Sequence, residues 1–144
     1  VSAALGREQL RKLPSALRTR RRNAALLTRG LAGVPGITLP RIAKGASHAF
    51  NLFTIFLDPK TLQMSREELQ AELARRGVET AVHYPLPLHR QPIFRGCGSD
   101  RDFPVSTRLA KTVLSIPVHP GLTRDDVHRV VEVLREVVGS AARA

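Results

Sequence analysis

The chain has 144 residues, and 42% of them are hydrophobic, which is enough for one domain with a core of its own. The sequence holds no apolar run long enough to cross a bilayer, no signal-peptide pattern, and a single cysteine, Cys97, which excludes an internal disulfide. We therefore expect a cytoplasmic protein. The chain opens with Val1 and its only methionine is Met64, so we also expect that it is not a complete translated protein.

The positive charge is concentrated at the N-terminal end. The formal net charge is +11, and residues 1–44 carry ten Lys or Arg residues against one acid, Glu8. Such a block can bind nucleic acid or another acidic partner. It can equally be the solvated face of a helix, and it lacks interleaved aromatic residues and a reading motif. Nucleic acid is therefore the less favoured partner.

The basic segment is predicted to be helical. A loose apolar stripe runs through residues 2–13 and 15–32, with arginines between the apolar positions. Pro14 is expected to break or kink this run, or to begin a second helix in its first turn. Glycines from Gly33 to Gly36 are expected to end the helix. "ITLPRIAKGAS" then reads as a short strand and a loop.

The middle of the chain alternates strand and helix signals. "HAFNLFTIFLD" has apolar residues on both faces, which predicts a central, covered strand that ends at Asp58. Ser65 and Glu68 have the spacing of a capping box, and they begin a helix that Gly77 is expected to end. "VETAV", residues 78–82, alternates as a strand does.

The last third is predicted to hold a helix at residues 103–113, a strand at 114–117 and a final helix. Thr123 is placed to cap this last helix, and its apolar stripe runs up to Gly139. The complete order is α, β, β, α, β, loop, α, β, α. This order predicts an α+β fold, in which helices cover a small sheet.

The segment "GVETAVHYPLPLHRQPIF" is the candidate binding loop. It places His83, Tyr84 and His89 among prolines, which hold the backbone in a stiff, non-repetitive path. Stiff loops on a scaffold often carry binding residues. The plainer interpretation is a surface connection whose prolines only end a strand.

Other catalytic signatures are missing from the sequence. "GLAGVPG" follows a helix instead of opening one, so it fails as a phosphate-binding loop, and no nucleophile elbow occurs. His83 and His89 have no carboxylate nearby in sequence, which argues against zinc. None of the four lysines has a context that would depress its pKa, as a Schiff-base lysine requires. We assign no catalytic, cofactor-binding or metal-ligating residue.

Four stretches, in register over nearly the whole chain, resemble the C-terminal small domain of the DegT/DnrJ/StrS family of pyridoxal-phosphate-dependent sugar aminotransferases. They are "SAALGREQLRKL" with "RTRRRNAALLTRGL", then "NLFTI", then "SREELQAELARRGVETAVHYPLPLHRQPIF", and "FPVSTRLAKTVLSIPVHPGLTRDDVHRVVEVL". Two places depart from the family pattern: Leu52, where the family often has a polar residue, and residues 41–48.

The resemblance implies a mostly antiparallel sheet, as in the C-terminal domain of fold-type I pyridoxal phosphate enzymes. Residues 1–144 would be the small domain, and residues 1–33 its long linking helix region. His83 and Tyr84 would bind the sugar, with His89 a weaker candidate. Pyridoxal phosphate and its Schiff-base lysine would belong to a large N-terminal domain that precedes this chain, so the chain by itself would be inactive.

The implied parent enzyme transfers an amino group from an amino acid, glutamate being expected, to a nucleotide-linked keto sugar, and it acts as a homodimer. Two alternatives stay open. The chain can be a non-catalytic binding module of the same fold, or a basic nucleic-acid-binding domain that uses residues 7–29.

Overall fold

The computed structural model describes residues 1–141. Its first element, helix α1 (Ser2–Gly30), is one continuous helix, so the expected break at Pro14 is wrong. Pro14 lacks the N–H that would bond to the Leu10 carbonyl. Residues 1–15 are exposed, so water can solvate that carbonyl and no tertiary contact is disturbed. The helix therefore continues through the proline until Gly30, close to the predicted end.

The sheet has three antiparallel strands in the order β1-β2-β3. They are β1 (Ile37–Thr38), β2 (Phe53–Leu57) and β3 (Val113–Ile116). β2 lies in the centre, as its two apolar faces predict. It is shorter than the predicted strand because Phe50 adopts a positive φ of 49° and turns the chain before the sheet begins.

Two helices follow the central strand. Asp58 ends β2 and caps α2 (Pro59–Leu62), a short helix that the sequence analysis missed, by accepting a hydrogen bond from the Lys60 N–H. α3 (Arg66–Arg75) begins at the predicted capping box, in which Ser65 accepts from the Glu68 N–H and Glu68 accepts from the Ser65 N–H. Its apolar side buries two leucines in the core.

α4 (Pro104–Thr112) and α5 (Arg124–Ala141) complete the fold. The Thr123 hydroxyl accepts from the Asp126 N–H, which confirms the predicted cap of α5. The helix continues past Gly139, where the predicted apolar stripe stops. α1 and α5 pack on each other, and α3 packs on α5.

Residues 78–82 do not form a strand, and the prediction of one is wrong. Only Ala81 pairs with the sheet, through an isolated bridge to Ser115. The other backbone groups here bond elsewhere: the Val78 N–H donates to the Leu73 carbonyl, and the Thr80 carbonyl accepts from the Gln70 side chain. The segment is tied to α3 at one end and to the edge of β3 at the other.

The two faces of the sheet differ. Phe53, Ile55 and Leu57 of β2 point into one core together with Leu114 and Ile116 of β3. The helices α1, α3 and α5 contribute most of the rest of that core. The residues between them, such as Thr54 and Ser115, point to the opposite face, because side chains alternate along a strand. The candidate site lies on that opposite face.

In the described part of the chain, no helix combines the length and the hydropathy that a membrane span needs.

Candidate functional site

A cavity of about 830 Å³ lies between the proline-rich loop, α4 and the first residue of β3. The loop forms two short 3-10 helices, Leu88–Arg90 and Pro92–Phe94, which confirms its non-repetitive path. Most of the lining is apolar, with a few polar groups among it. The lining residues are His83, Tyr84, Leu86, Pro87, Leu88, His89, Gln91, Phe94, Cys97, Phe103, Ser106, Leu109, Ala110 and Val113.

His83 is positioned by the edge of the sheet. The backbone of Ala81 makes two hydrogen bonds with that of Ser115, with N–O distances of 3.0 and 2.8 Å. His83 follows shortly after, and its Nδ1 lies 3.3 Å from the Ser115 Oγ. Ser115 is 5% exposed, and its Oγ also lies 3.0 Å from the Thr54 Oγ1. The half-buried imidazole is thus held from one side and lines the cavity with the other.

Tyr84 stands at the mouth of the cavity. Its side chain is 73% exposed, and its ring meets that of His83 edge to face, with centroids 5.8 Å apart. No hydrogen bond holds the phenol within the described residues. Its hydroxyl and its apolar ring face are both free to contact a ligand.

His89 also lines the cavity, but its own side chain is engaged by the protein. It is 6% exposed, its Nε2 lies 2.9 Å from the Asp100 Oδ1, and its ring stacks on Phe103 with centroids 5.0 Å apart. The Thr107 hydroxyl lies 3.4 Å from the same Nε2. These contacts tie the loop to the segment that leads into α4.

Asp100 is the centre of this connection. Its Oδ1 accepts a hydrogen bond of 2.7 Å from the Arg90 Nε, and its Oδ2 pairs with the Arg90 Nη2. Donation first from Arg90 and then from His89 holds the pKa of the Asp100 carboxyl well below its ordinary range. The carboxylate is therefore charged at every ordinary pH, and it joins the segment before α4 to the loop at His89 and Arg90.

The loop and the start of α4 expose a set of apolar side chains, here called the apolar rim. Ile93 is 85% exposed, and Leu88, Phe94, Phe103 and Val105 are exposed as well. An apolar lining with a few polar groups is typical of sites for small organic ligands.

The remaining candidates lie away from this cavity. Lys12, Lys44, Lys60 and Lys111 are exposed, and none lines it. His128 is exposed on α5. His48 accepts a hydrogen bond from the Phe50 N–H through Nδ1. Among residues 1–141, no cluster of His, Cys, Asp or Glu is placed to hold a metal ion.

Sequence reasoning missed three residues of the site. Ser115 was part of a predicted strand, and its signal was a hydroxyl in an otherwise apolar segment that is buried throughout. Asp100 lies after the loop, in a stretch without periodicity, and Phe103 is the first residue of the predicted helix 103–113. Their contacts with His89 depend on how the chain returns to the loop, which spacing alone does not specify.

The family comparison identifies the scaffold around this cavity. Residues 1–135 match the model of the DegT/DnrJ/EryC1/StrS aminotransferase family. The chain belongs to this family. The resemblance inferred from the four motifs is thereby confirmed, and so is the α+β fold, since solved members of the family superpose on it.

Two curated relatives are similar to this family member over most of its length. It is 36% identical over 137 residues to the dTDP-3-amino-3,4,6-trideoxy-alpha-D-glucose transaminase of Streptomyces venezuelae, which covers 94% of the chain and 35% of the relative. It is 39% identical over 120 residues to the pleiotropic regulatory protein of Geobacillus stearothermophilus. That match covers 81% of this chain and 31% of the relative.

A solved structure gives the same picture. DesV of S. venezuelae, solved in complex with a ketimine intermediate, superposes with a TM-score of 0.86 at 36% identity, covering 94% of this chain and 35% of its own. The chain therefore spans about a third of the length of the relatives that it matches.

Proposed function

We propose that this chain contributes the sugar-binding wall of a pyridoxal-phosphate-dependent aminotransferase that acts on nucleotide-linked keto sugars. The supporting observation is the cavity: an apolar pocket with His83 and Tyr84 on a loop anchored by Asp100. The name of the S. venezuelae relative, a transaminase of a dTDP-linked sugar, supports this substrate class. The reaction moves an amino group from an amino acid, for which we propose glutamate, to the keto group of the sugar.

Three residues of the loop have different proposed roles. His83 offers a ring nitrogen to a hydroxyl, keto or phosphate oxygen of the sugar nucleotide. Tyr84 covers an apolar sugar face and offers its phenol. His89 lines the cavity, and because its Nε2 is engaged by Asp100, we propose that it mainly positions the loop and is the weaker sugar-binding candidate.

The residues present do not hold the cofactor by themselves. The cavity lining contains no lysine for a Schiff base and no acid to pair with a pyridinium nitrogen, among the residues that the structure describes. We therefore propose that residues 1–144 are a small domain, with 1–33 as its linking helix region. The lysine and the cofactor-binding groups would lie on a larger domain. Bound pyridoxal phosphate supplies the electron sink of transamination. This chain orients the sugar and excludes water from one side.

An assembly follows from the same proposal. The apolar rim at Leu88, Ile93 and Val105 is exposed in the single chain, and in a homodimer the larger domains would cover it. A cytoplasmic location stays a prediction.

Amination of a sugar nucleotide tests the proposal. The full-length protein that carries this chain is incubated with pyridoxal phosphate, glutamate and dTDP-linked keto sugars, and mass spectrometry detects the aminated product. We expect amination of at least one of these sugars, and no amination of free keto acids other than the 2-oxoglutarate that glutamate leaves when it gives up its amino group. Amination of free keto acids alone would contradict the sugar class.

A non-catalytic module of this fold is the second candidate, and the name of the Geobacillus stearothermophilus relative, a regulatory protein, favours keeping it. The full-length protein would then bind a nucleotide sugar without aminating it. Failure to retain pyridoxal phosphate in the same experiment would favour this candidate.

Nucleic-acid binding is the weaker alternative. Three neighbouring arginines of α1 donate to backbone carbonyls of the protein: Arg20 to Phe50 and Asn51, Arg21 to His48, and Arg22 to Leu122. Groups engaged in this way are less free for phosphates. Salt-dependent retention on DNA that is abolished by changing Arg18, Arg20, Arg21 and Arg22 to Gln would support a nucleic-acid function. Retention that persists in high salt or ignores those changes would contradict it.

A further inference from the structure

A chain of hydroxyl groups leads from the centre of the sheet to His83. Thr54 of β2 and Ser115 of β3 are direct partners in the antiparallel register, and their oxygens lie 3.0 Å apart. The Ser115 Oγ then lies 3.3 Å from the His83 Nδ1. Ser115 is almost fully buried, so its hydroxyl hydrogen must go to one of these two neighbours.

Two arrangements of the hydrogens are possible. In the first, Thr54 donates to Ser115, and Ser115 donates to an unprotonated Nδ1. In the second, a protonated Nδ1 donates to Ser115, and Ser115 donates to Thr54. The second arrangement leaves the hydroxyl hydrogen of half-buried Thr54 to solvent, because Ser115 is its sole side-chain partner in the part of the chain that the structure describes. The first arrangement gives both hydroxyl hydrogens an acceptor within the protein, which favours it.

We propose that Ser115, backed by Thr54, positions His83 as the tautomer that carries its hydrogen on Nε2. In a neutral imidazole, the nitrogen that accepts a hydrogen bond leaves the other nitrogen as the donor. No residue of the described chain engages Nε2 with a hydrogen bond, while the ring lines the cavity. His83 therefore presents an N–H to the ligand.

This assignment specifies the ligand group that His83 recognises, and it rests on the proposed function only for the identity of that ligand. A fixed N–H donor selects an acceptor oxygen, such as a keto, hydroxyl or phosphate oxygen of the sugar nucleotide. It does not favour an ammonium group, which is itself a donor. Ser115 and Thr54 are positioning residues in this scheme, because they act through His83.

Nitrogen NMR of the histidine rings tests the assignment directly. The full chain is prepared with isotope-labelled histidine, and spectra are recorded at alkaline pH, where imidazole is neutral. We expect His83 to show an unprotonated Nδ1 and a protonated Nε2. A protonated Nδ1 in the unaltered protein would overturn the proposal, and this reading needs no variant to fold.

Two variants separate a positioning role from a packing role. Ser115→Ala removes the donor to Nδ1, and we expect the His83 signals to move toward the mixed tautomers of a free imidazole. Thr107→Val removes a hydroxyl that contacts His89 instead, so it is the matched control and leaves the His83 signals in place. His83 signals that do not respond to Ser115→Ala in a folded variant would contradict the proposal.

The readout is independent of sugar turnover. If the tautomer is as stated but no keto sugar is aminated, the proposed function fails and the positioning of His83 stands. If amination occurs with Nδ1 protonated, the positioning proposal fails alone.

Discussion

Gly30, at the end of α1, lies directly against Val131 of α5. A Cβ on Gly30 would come within 2.7 Å of both Val131 methyl carbons, closer than side chains approach in folded proteins. Because Gly30 has no side chain, the Val131 side chain can lie directly against the α1 backbone, and the two helices meet in the core on one side of the sheet. Val131 packs against that core.

Gly30→Ala is expected to destabilise the protein by about 1–3 kcal/mol, because the helices must separate or Val131 must leave its position. Urea unfolding measures the change. Gly6→Ala is the matched control on the same helix, since a Cβ there meets nothing within 4 Å. Alanine favours helix over glycine, so the control is expected to be neutral or slightly stabilising. Equal losses for the two variants would contradict the close approach.

Arg20 joins α1 to the segment before β2. Its Nη1 donates to the carbonyls of Phe50 and Asn51, both at 3.1 Å. Hydrogen bonds from a charged donor contribute more than neutral ones, so Arg20→Gln is expected to lower the free energy of unfolding by about 1–2 kcal/mol. Arg18 is exposed on the same helix. Arg18→Gln should therefore change stability by less than about 0.5 kcal/mol, and an equal loss would rule out the role of the carbonyl contacts.

Asp100 is expected to keep the proline-rich loop anchored to the segment before α4 over a wide pH range. Its pKa is lowered in the folded protein by Arg90 and then by His89, so its contribution is present above the ordinary pKa of aspartate. That contribution is lost only as the pH falls through the lowered folded value. We expect the loop to stay anchored by Asp100 at pH values where an ordinary aspartate already takes up its proton.

The sole tyrosine of a chain without tryptophan, Tyr84, reports on this loop through its fluorescence. Asp100→Asn is expected to lower the fluorescence anisotropy of Tyr84 at neutral pH, because a loop that is less firmly anchored moves more. Asp125→Asn, on the exposed first turn of α5, should leave it unchanged. If the anisotropy of the unaltered chain falls already near the ordinary aspartate pKa, the assignment to Asp100 is wrong.

His83→Gln in the full-length enzyme is expected to lower kcat/KM for the keto sugar by roughly tenfold or more, the effect of losing one well-placed hydrogen bond to the ligand. Binding of pyridoxal phosphate, followed by its absorbance, should be unchanged. His128→Gln, on the exposed side of α5, is the control. Parallel loss of cofactor and turnover would place His83 against the cofactor instead of the sugar.

Periodicity predicted the elements whose partners lie close in sequence. The capping box of Ser65 and Glu68 and the cap by Thr123 need only a few consecutive residues, and both form as expected. The predicted break at Pro14 is wrong because the cost of a proline inside a helix depends on whether the carbonyl that loses its hydrogen bond is buried. Here that carbonyl, of Leu10, is exposed. α5 continues past Gly139, because a glycine can lie inside a helix that its apolar stripe holds in place.

Long-range pairing decided the rest. Residues 78–82 alternate like a strand, but the Thr80 carbonyl finds a partner in the Gln70 side chain, so the ladder with β3 stops at one bridge. The proline-rich loop and its two histidines could be predicted from the sequence, and their role in binding stays a prediction. The contacts that hold them, from Ser115 and from Asp100, join segments that no local pattern connects.

The alternation along β2 separates two tasks that sit on adjacent residues. Phe53 and Ile55 maintain the folded state, while Thr54 between them faces the ligand side. Under the proposed function, variation at the second kind of position would change the sugar-facing side without eroding the interior. Such a division gives an enzyme lineage room to diversify its substrates on a constant framework.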